Sequence, residues 1–387
     1  MIKFGQRKNL LHPFMLALSY LLVKLTEEII NANFKVGKYV FQITYCLSRF
    51  IFGLITFLYT NYKQKKIEGY TFMGIDAKEI YKDKTKKDDK FKTCLLLFFV
   101  SYFDFVVSIA RTFYIKGNEL IKSIKSRLRC TQIFLTGILC YFTIRIELNK
   151  HHFFSLIILF ICFLIIIINE IIYIEITPSR KNYYPMILTI VSNIARTFLD
   201  TTEKYLFDFN EINMFLVIMV EGIINVISVY IYFFADGSPT QFEDKEYTKP
   251  FESSESLNIL ILVILLLLYF LFCGLRNIYR VTTIKLYTPM VRALTEAIFD
   301  PVLIGIQLSD YKNTSFYWIN MVCLIIMVIA SLIFTEFIVL YCFGLEYYTH
   351  IEISRRAEAD DSKSEEIQEG DNRLSNASLN DSERRDS

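Results

Sequence analysis

The sequence predicts an all-α polytopic membrane protein with ten transmembrane helices arranged as two inverted five-helix repeats. The 387-residue chain is 53% hydrophobic and has a mean hydropathy of +0.36, above the range usual for soluble domains. Apolar segments of membrane-spanning length recur along it, and its charged residues concentrate in a few loops and one tail. The two halves of the chain also resemble each other in part, which indicates a repeat.

Six segments are apolar over the roughly 20 residues that a membrane-crossing helix needs. They are residues 39–60, 93–115, 153–174, 214–234, 257–275 and 321–345. Four others have the length but carry polar insertions: 11–33, 128–145, 185–206 and 283–308. The segment 11–33 follows a basic start, as in a signal peptide, but without a small-residue cleavage site, so we predict a retained span. Because these four hold much of the charge, we expect them to face a central cavity.

The Lys-rich loop 61–92 gives the predicted orientation. It contains ten lysines against six acids, and Lys and Arg in short loops are retained on the cytoplasmic side. With ten spans, the N-terminus (1–10) and the tail (346–387) are then also cytosolic. The tail is acidic, Ser-rich and predicted to be disordered. Asn313 opens an Asn-Thr-Ser sequon between spans nine and ten, on the opposite side, and is a predicted glycosylation site.

A comparison of the two halves places the repeats at residues 11–182 and 183–345. A shift of 165 residues lays Arg111 on Arg276 and Arg127 on Arg292 without a gap. Five spans per half require the second half to be inserted upside down relative to the first. Inverted repeats of this kind are typical of secondary transporters, whose sites lie near the midplane between the repeats.

Charged residues within the predicted spans are the candidate functional residues. Two helical ladders at spacings of three and four residues share a face each: Arg196, Asp200 and Glu203 in span six, and Arg292 and Glu296 in span nine. Two interpretations remain open. The ladders are either internal salt bridges that fix helix packing, or the wall of a watery cavity that binds a charged or polar solute.

Other intramembrane charges have no obvious partner on their own helix. They include Glu28, Arg49, Asp104 and Glu221. Each needs a partner from another span, a solute or a proton. Glu221 lies deepest in an apolar run and is therefore the candidate for proton coupling.

The sequence carries no recognisable enzyme or metal-site pattern, and we predict no catalytic residues, metal or cofactor. Eight cysteines lie mostly in apolar segments without CxxC spacing. The adjacent pair His151-His152 is not a zinc-binding set such as HExxH, and no phosphate-binding Gly-rich loop occurs. We interpret the Lys-rich loop as a solvated cytosolic loop, so nucleic acid is not an expected partner.

The stretch "LDTTEKYLFDFNEINMFLVIMVEGIINVI" resembles one found in solute carrier family 35-like members of the drug/metabolite transporter superfamily, the branch related to nucleotide-sugar transporters. In that group a Glu-Lys pair ends one helix and a Glu-Gly pair lies within the next. Here these pairs are Glu203-Lys204 and Glu221-Gly222.

A second stretch, "VTTIKLYTPMVRALTE", is similar to that group's motif of a Thr-x-Lys step followed by Arg and an acid four residues on. The matching positions are Lys285, Arg292 and Glu296. The resemblance implies a ten-helix, inverted five-plus-five carrier of an endomembrane: Golgi, ER, or lysosome or vacuole.

From these features we expect a secondary transporter that moves a small polar or anionic metabolite, nucleotide-sugar-like or vitamin-like, across the lipid bilayer by alternating access; homodimerisation is a further expectation. The predicted substrate-binding residues are Arg49, Arg127, Lys285, Arg292, Glu28, Asp200, Glu203 and Glu296. The alternative is a non-transporting membrane receptor or scaffold, in which the loop 61–92 and the tail would be the working parts.

Overall fold

The computed structural model describes ten helices and one short hairpin. It covers residues 11–34, 36, 38–64, 70–71, 74–75, 89–116, 128, 131–144, 149–176, 183–210, 212–235, 256–298 and 314–335. The helices are α1 (Leu11–Asn33), α2 (Lys38–Gln64), α3 (Asp89–Lys116), α4 (Thr131–Ile144), α5 (Lys150–Ile176), α6 (Tyr184–Phe209), α7 (Met214–Ala235), α8 (Ser256–Leu286), α9 (Pro289–Ala297) and α10 (Thr314–Phe334). The hairpin pairs β1 (Tyr70–Thr71) with β2 (Gly74–Ile75) inside the Lys-rich loop.

Four of the described helices are long and apolar enough to cross a membrane. Their apolar stretches are Val40–Lys63, Lys150–Glu175, Met214–Ile231 and Asn258–Leu286, in α2, α5, α7 and α8. Shorter apolar helical stretches occur in α3, α4 and α10. Apart from the small hairpin, the prediction of a helical protein with several apolar candidate spans is confirmed.

The junction of α8 and α9 differs from the predicted boundaries. The sequence predicts a span ending at residue 275 and another beginning at 283, but α8 continues to Leu286. Thr288 then caps α9, accepting a hydrogen bond from the Val291 amide at 3.3 Å, and Pro289 occupies the first turn, where a missing N–H costs nothing. Lys285 therefore lies in the last turn of α8 rather than in the following helix.

Three apolar clusters hold the bundle together. One joins α4, α5, α9 and α10 with a residue of α6, the second joins α3, α6 and α7 with residues of α2 and α8, and the third joins α1, α2 and α8 with a residue of α7. The outer faces of α5 and α8 carry exposed aliphatic side chains such as Ile157 and Leu267. Polar residues are concentrated where the three clusters meet, in the middle of the bundle.

Two glycines allow α2 and α7 to approach closely. A Cβ atom added at Gly53 of α2 would lie 2.9 Å from the Met219 amide nitrogen of α7, and one added at Gly222 would lie 2.6 Å from the Phe50 nitrogen. Small residues at such crossings bring backbones into direct contact. The crossing fixes α2 against α7 one turn away from Arg49 and Glu221.

Candidate functional site

Ten charged side chains from six helices form a continuous set of ion pairs, which we call the ion network. Its members are Arg49 (α2), Asp104 (α3), Arg196, Asp200 and Glu203 (α6), Glu221 (α7), Arg276 and Arg280 (α8), and Arg292 and Glu296 (α9). All are buried except Arg196, whose side chain is 19% exposed. Five arginines face five acids, so the fully ionised network has no net charge.

One end of the network is rich in acids. Arg280 bonds both carboxylate oxygens of Glu203, at 2.6 and 3.0 Å, and also bonds Glu221 at 3.1 Å. Arg49 contacts Asp104 and lies 3.2 Å from the same oxygen of Glu221. Two arginines thus serve three acids in this acid-rich end.

The other end is rich in arginines. The carboxylate of Glu296 accepts from three guanidinium groups, with N–O distances of 2.8 Å to Arg276, 2.9 Å to Arg292 and 3.4 Å to Arg196. Arg292 also bonds Asp200 at 2.5 Å. Three arginines therefore share two acids in this arginine-rich end, and a 3.4 Å contact from Arg280 to Asp200 joins it to the acid-rich end.

The cost of burying charges explains why these side chains are paired, but within the described part of the chain four of the arginines still have a nitrogen atom without an acceptor. Removing an ion from water costs several kcal/mol, and partners offset that cost only when geometry is good. The Nε atoms of Arg49, Arg196, Arg280 and Arg292 are buried without an acceptor among the described residues. An unmatched buried donor costs about 1–3 kcal/mol. A network serving only to fix packing would be expected to satisfy these donors.

A cavity of about 60 Å³ lies against the network. It has room for a few water molecules. Its lining comprises Tyr20, Lys24, Tyr45, Arg49, Asp104, Val107, Ser108, Gln132, Thr189, Ser192, Asn193, Arg196, Leu199, Arg276 and Arg280. Five of these residues are cations and one is an acid, so cations predominate in the wall, each paired with at least one acid; Lys24, for example, lies 3.0 Å from Glu27.

Two tyrosines give this cation-rich wall an aromatic part. The Arg276 guanidinium lies 4.9 Å above the ring of Tyr20, and that of Arg49 lies 5.6 Å from the centre of the Tyr45 ring. Both are within the range of a cation–π contact. The Tyr45 hydroxyl also donates to Asn277 at 3.1 Å, which fixes the ring.

The cavity and the ion network share five residues: Arg49, Asp104, Arg196, Arg276 and Arg280 line the cavity as well as belonging to the network. In the cavity wall, Asn193 donates to the carbonyl of Leu128 at 2.8 Å, which ties the middle of α6 to the chain just before α4. Lys204 donates to the carbonyl of Lys285 at 2.9 Å, which places the ends of α6 and α8 together. The network therefore forms part of the cavity wall and extends from it, through Glu203 and Arg292, towards the end of α6 and the start of α9.

The structure brings six predicted residues into the network: Arg49, Asp200, Glu203, Glu221, Arg292 and Glu296. Glu28 is exposed on α1, and Lys285 is exposed at the end of α8, so neither side chain joins them. Arg127 and Asn313 lie outside the described residues.

Four network residues were not among the predicted site residues: Asp104, Arg196, Arg276 and Arg280. Arg276 and Arg280 stand four residues apart and so share a face of α8. That spacing is visible in the sequence, but a span ending at the last apolar residue leaves both arginines in a loop. Asp104 is an isolated charge in the sequence, and only the tertiary structure supplies Arg49 as its partner.

A second buried polar cluster joins α5 to α10. Asn169 donates to Asn320 at 2.9 Å, and Asn320 donates to Glu170 at 2.9 Å. At the other end of α5, the rings of His151 and His152 have centres 3.9 Å apart, and His152 packs on Phe334. Within the described part of the chain, no group of three or more His, Cys, Asp or Glu side chains is arranged to hold a metal ion.

Comparison with known proteins adds no assignment. No family model matches the chain, and no curated protein matches it. The function therefore has to be inferred from the geometry of the cavity and the ion network.

Proposed function

We propose that this protein is a secondary transporter of the drug/metabolite type, which moves a small polar or anionic metabolite across an endomembrane by alternating access. The observation that carries this proposal is a cavity lined by more cations than acids, whose wall is formed in part by a buried ion network. Ionisable residues buried between membrane helices commonly mark solute or ion pathways. The substrate class follows from the excess of cations in the wall.

The helix contacts support an inverted repeat. A shift of five helices relates α1 to α6, α2 to α7, α3 to α8, α4 to α9 and α5 to α10. Three packed pairs join a helix to its own counterpart: α2 with α7, α4 with α9, and α5 with α10. In the other cases, the five-helix shift turns one packed pair of helices into a second packed pair. These matched pairs are α1–α8 and α3–α6, α2–α8 and α3–α7, α4–α6 and α1–α9, α4–α5 and α9–α10, and α2–α3 and α7–α8. A two-fold relation between halves produces this pattern.

Three further packed pairs, α6–α8, α6–α9 and α8–α9, have no equally extensive counterpart among the described residues. All three involve the second half. They tie together α6, α8 and α9, which carry seven of the ten members of the ion network. Alternating access requires the two sides of an inverted-repeat carrier to differ, and this asymmetry supports the proposal.

The crossing of α2 and α7 supports the same relation at the level of residues. A shift of 169 residues places Gly53 on Gly222 and Phe50 on Met219. Gly53 packs on the Met219 backbone, and Gly222 packs on the Phe50 backbone. The two contacts thus exchange under the shift, as they do across a two-fold axis.

The ion network joins the two proposed halves. Arg49 and Asp104 belong to the first half and the other eight members to the second. Contacts such as Arg49–Glu221 must lengthen if one half rocks against the other. An anionic solute bound beside Arg196 and Arg276 would supply the acid that the arginine-rich end lacks. The cavity must also widen to admit a metabolite, since its present volume fits only a few waters.

The proposal is tested first by ligand binding. The purified full-length protein is heated with a panel of anionic solutes and their neutral analogues, because a ligand that binds only the native state raises its stability. At about 100 times its Kd, such a ligand adds about 2.7 kcal/mol. We expect anionic solutes to stabilise the protein and the neutral analogues not to. Stabilisation by neutral analogues to the same degree would contradict an anion site.

The variant Arg196→Gln tests the location of that site. Arg196 is the most exposed arginine of the network and contacts only Glu296 among the described acids, at 3.4 Å, so its loss disturbs packing least. A charged hydrogen bond is worth about 1.5–3 kcal/mol, so affinity for the anion should fall about 10- to 100-fold. Lys63→Gln, at the exposed end of α2, is the matched control and should bind as the unmodified protein does.

A further inference from the structure

Two buried acceptor atoms on one face of α7 lack a donor. The Oε1 atom of Glu221 and the Oδ1 atom of Asn225 have no hydrogen-bond partner among the described residues, and both side chains are fully buried. Residues four apart on a helix lie on the same face. The other carboxylate oxygen of Glu221 already accepts from Arg280 and lies beside Arg49.

The orientation of the Asn225 amide follows from its partner. Its Nδ2 atom donates to Asp104, a carboxylate that also accepts from Arg49. A carboxylate needs a donor, so the amide must present nitrogen to Asp104 and oxygen to the opposite side. Oδ1 of Asn225 is therefore the acceptor that this amide leaves without a donor among the described residues, on a residue that shares a face of α7 with Glu221.

The charges around Glu221 are also unbalanced, by one positive charge. Glu221 faces Arg49 from α2 and Arg280 from α8, and it is repelled by Glu203 from α6 and Asp104 from α3. The three acids here share two arginines, which leaves one negative charge uncompensated. Buried charges without compensation are strongly destabilising. One proton would supply both the missing donor and the missing positive charge.

We propose that Glu221, Asn225 and Asp104 form a proton-binding site, in which a proton on Oε1 of Glu221 is donated in a hydrogen bond to Oδ1 of Asn225. Water in the cavity, which Asp104 lines, supplies the proton: an O–H bond of a hydronium ion breaks, an O–H bond forms on Oε1 of Glu221, and a water molecule remains. Asp104 stays a carboxylate that accepts from Asn225 and Arg49, and the arginines keep their protons.

If the protein is the proposed transporter, this site couples the binding of a proton to the binding of the anionic solute. The acid-rich end lacks one positive charge and the arginine-rich end lacks one negative charge. A proton at the first and an anionic solute at the second neutralise the two ends together. The expected stoichiometry is one proton carried with each singly charged anion.

Infrared spectroscopy of the protein in lipid tests the proton site without any solute. Exposed acids are ionised at neutral pH, so a C=O stretching band of a protonated carboxyl reports a buried acid. We expect such a band in the unmodified protein and its loss in Glu221→Gln. The matched control is Glu170→Gln, a buried acid of α5 paired with Asn320, which should leave the Glu221 band in place. A spectrum without a band that depends on Glu221 would overturn the proposal.

A second variant, Asn225→Val, tests the site even when Glu221→Gln does not fold. Asn225→Val removes the proposed acceptor while keeping a buried side chain, so the carboxyl band should shift to higher frequency. An unshifted band would overturn the hydrogen bond to Asn225. The outcome is separable from transport: a protein with the band but without solute flux refutes the transporter, and flux without the band refutes the proton site.

Discussion

Arg280 of α8 and Glu203 of α6 form the most complete ion pair in the bundle, with two N–O contacts of 2.6 and 3.0 Å between side chains that are 1% and 0% exposed. Arg280 also reaches Glu221 and Asp200. Its contact with Asp200 therefore joins the two ends of the ion network. The stability of the network should depend on Arg280 more than on any other member.

Replacing Arg280 with Gln is expected to destabilise the protein by about 3–5 kcal/mol, because it leaves buried acids without their shared cation. The melting temperature of the purified protein measures this loss. Arg280→Lys keeps the charge but loses the bidentate contact with Glu203. Its melting temperature should therefore lie between those of Arg280→Gln and the unmodified protein. An Arg280→Gln protein that melts with the unmodified protein would mean that the network contributes no stability.

Gly222→Ala is expected to weaken the α2–α7 crossing. The added Cβ would lie 2.6 Å from the Phe50 nitrogen and 2.7 Å from its Cα, so the two backbones must separate. Such overpacking typically costs about 1–3 kcal/mol. Gly137→Ala is the control, because its Cβ would meet the end of the Leu156 side chain at 2.8 Å, which can rotate away. Equal melting temperatures for the two variants would contradict the close crossing.

A double-mutant cycle on Arg49 and Asp104 tests whether their contact is energetically coupled. Each single change, Arg49→Gln or Asp104→Asn, leaves one buried charge with fewer partners. The double variant removes both charges, so it should be more stable than the sum of the single effects predicts, by about 0.5–3 kcal/mol. Additive melting data would show that the pair is not coupled.

The sequence alone predicted the helical bundle and much of the ion network, and the misses have specific physical causes. Asp200, Glu203, Arg292 and Glu296 stood out because charges at helical spacing inside apolar segments are costly and few. Arg280 was missed because it lies beyond the apolar part of α8, where composition resembles a loop.

The positions of Glu28 and Lys285 illustrate a different limit. Both are charged residues near the end of a predicted span, and a side chain there can turn either inward or outward. Both are exposed in the structure. Hydropathy gives the position of a charge along a helix, but only packing against neighbouring helices decides the face it occupies.

Deleting residues 353–387 distinguishes the transporter from the alternative receptor or scaffold. The ion network and the cavity lie entirely between residues 20 and 296, so a carrier should keep its solute flux without the tail. A scaffold would lose partner binding. Flux in proteoliposomes made with the full-length and the truncated protein gives the comparison, and loss of flux on truncation would contradict a self-contained carrier.

In the proposed transporter, the cation-lined cavity carries an anionic solute across the membrane. Counterflow in proteoliposomes measures this transport, using the anion that best stabilises the purified protein: vesicles preloaded with unlabelled solute are diluted into a trace of labelled solute. We expect transient accumulation of label with the unmodified protein and with Lys63→Gln, and little with Arg196→Gln. A solute that binds and stabilises the unmodified protein but shows no counterflow would contradict this proposal.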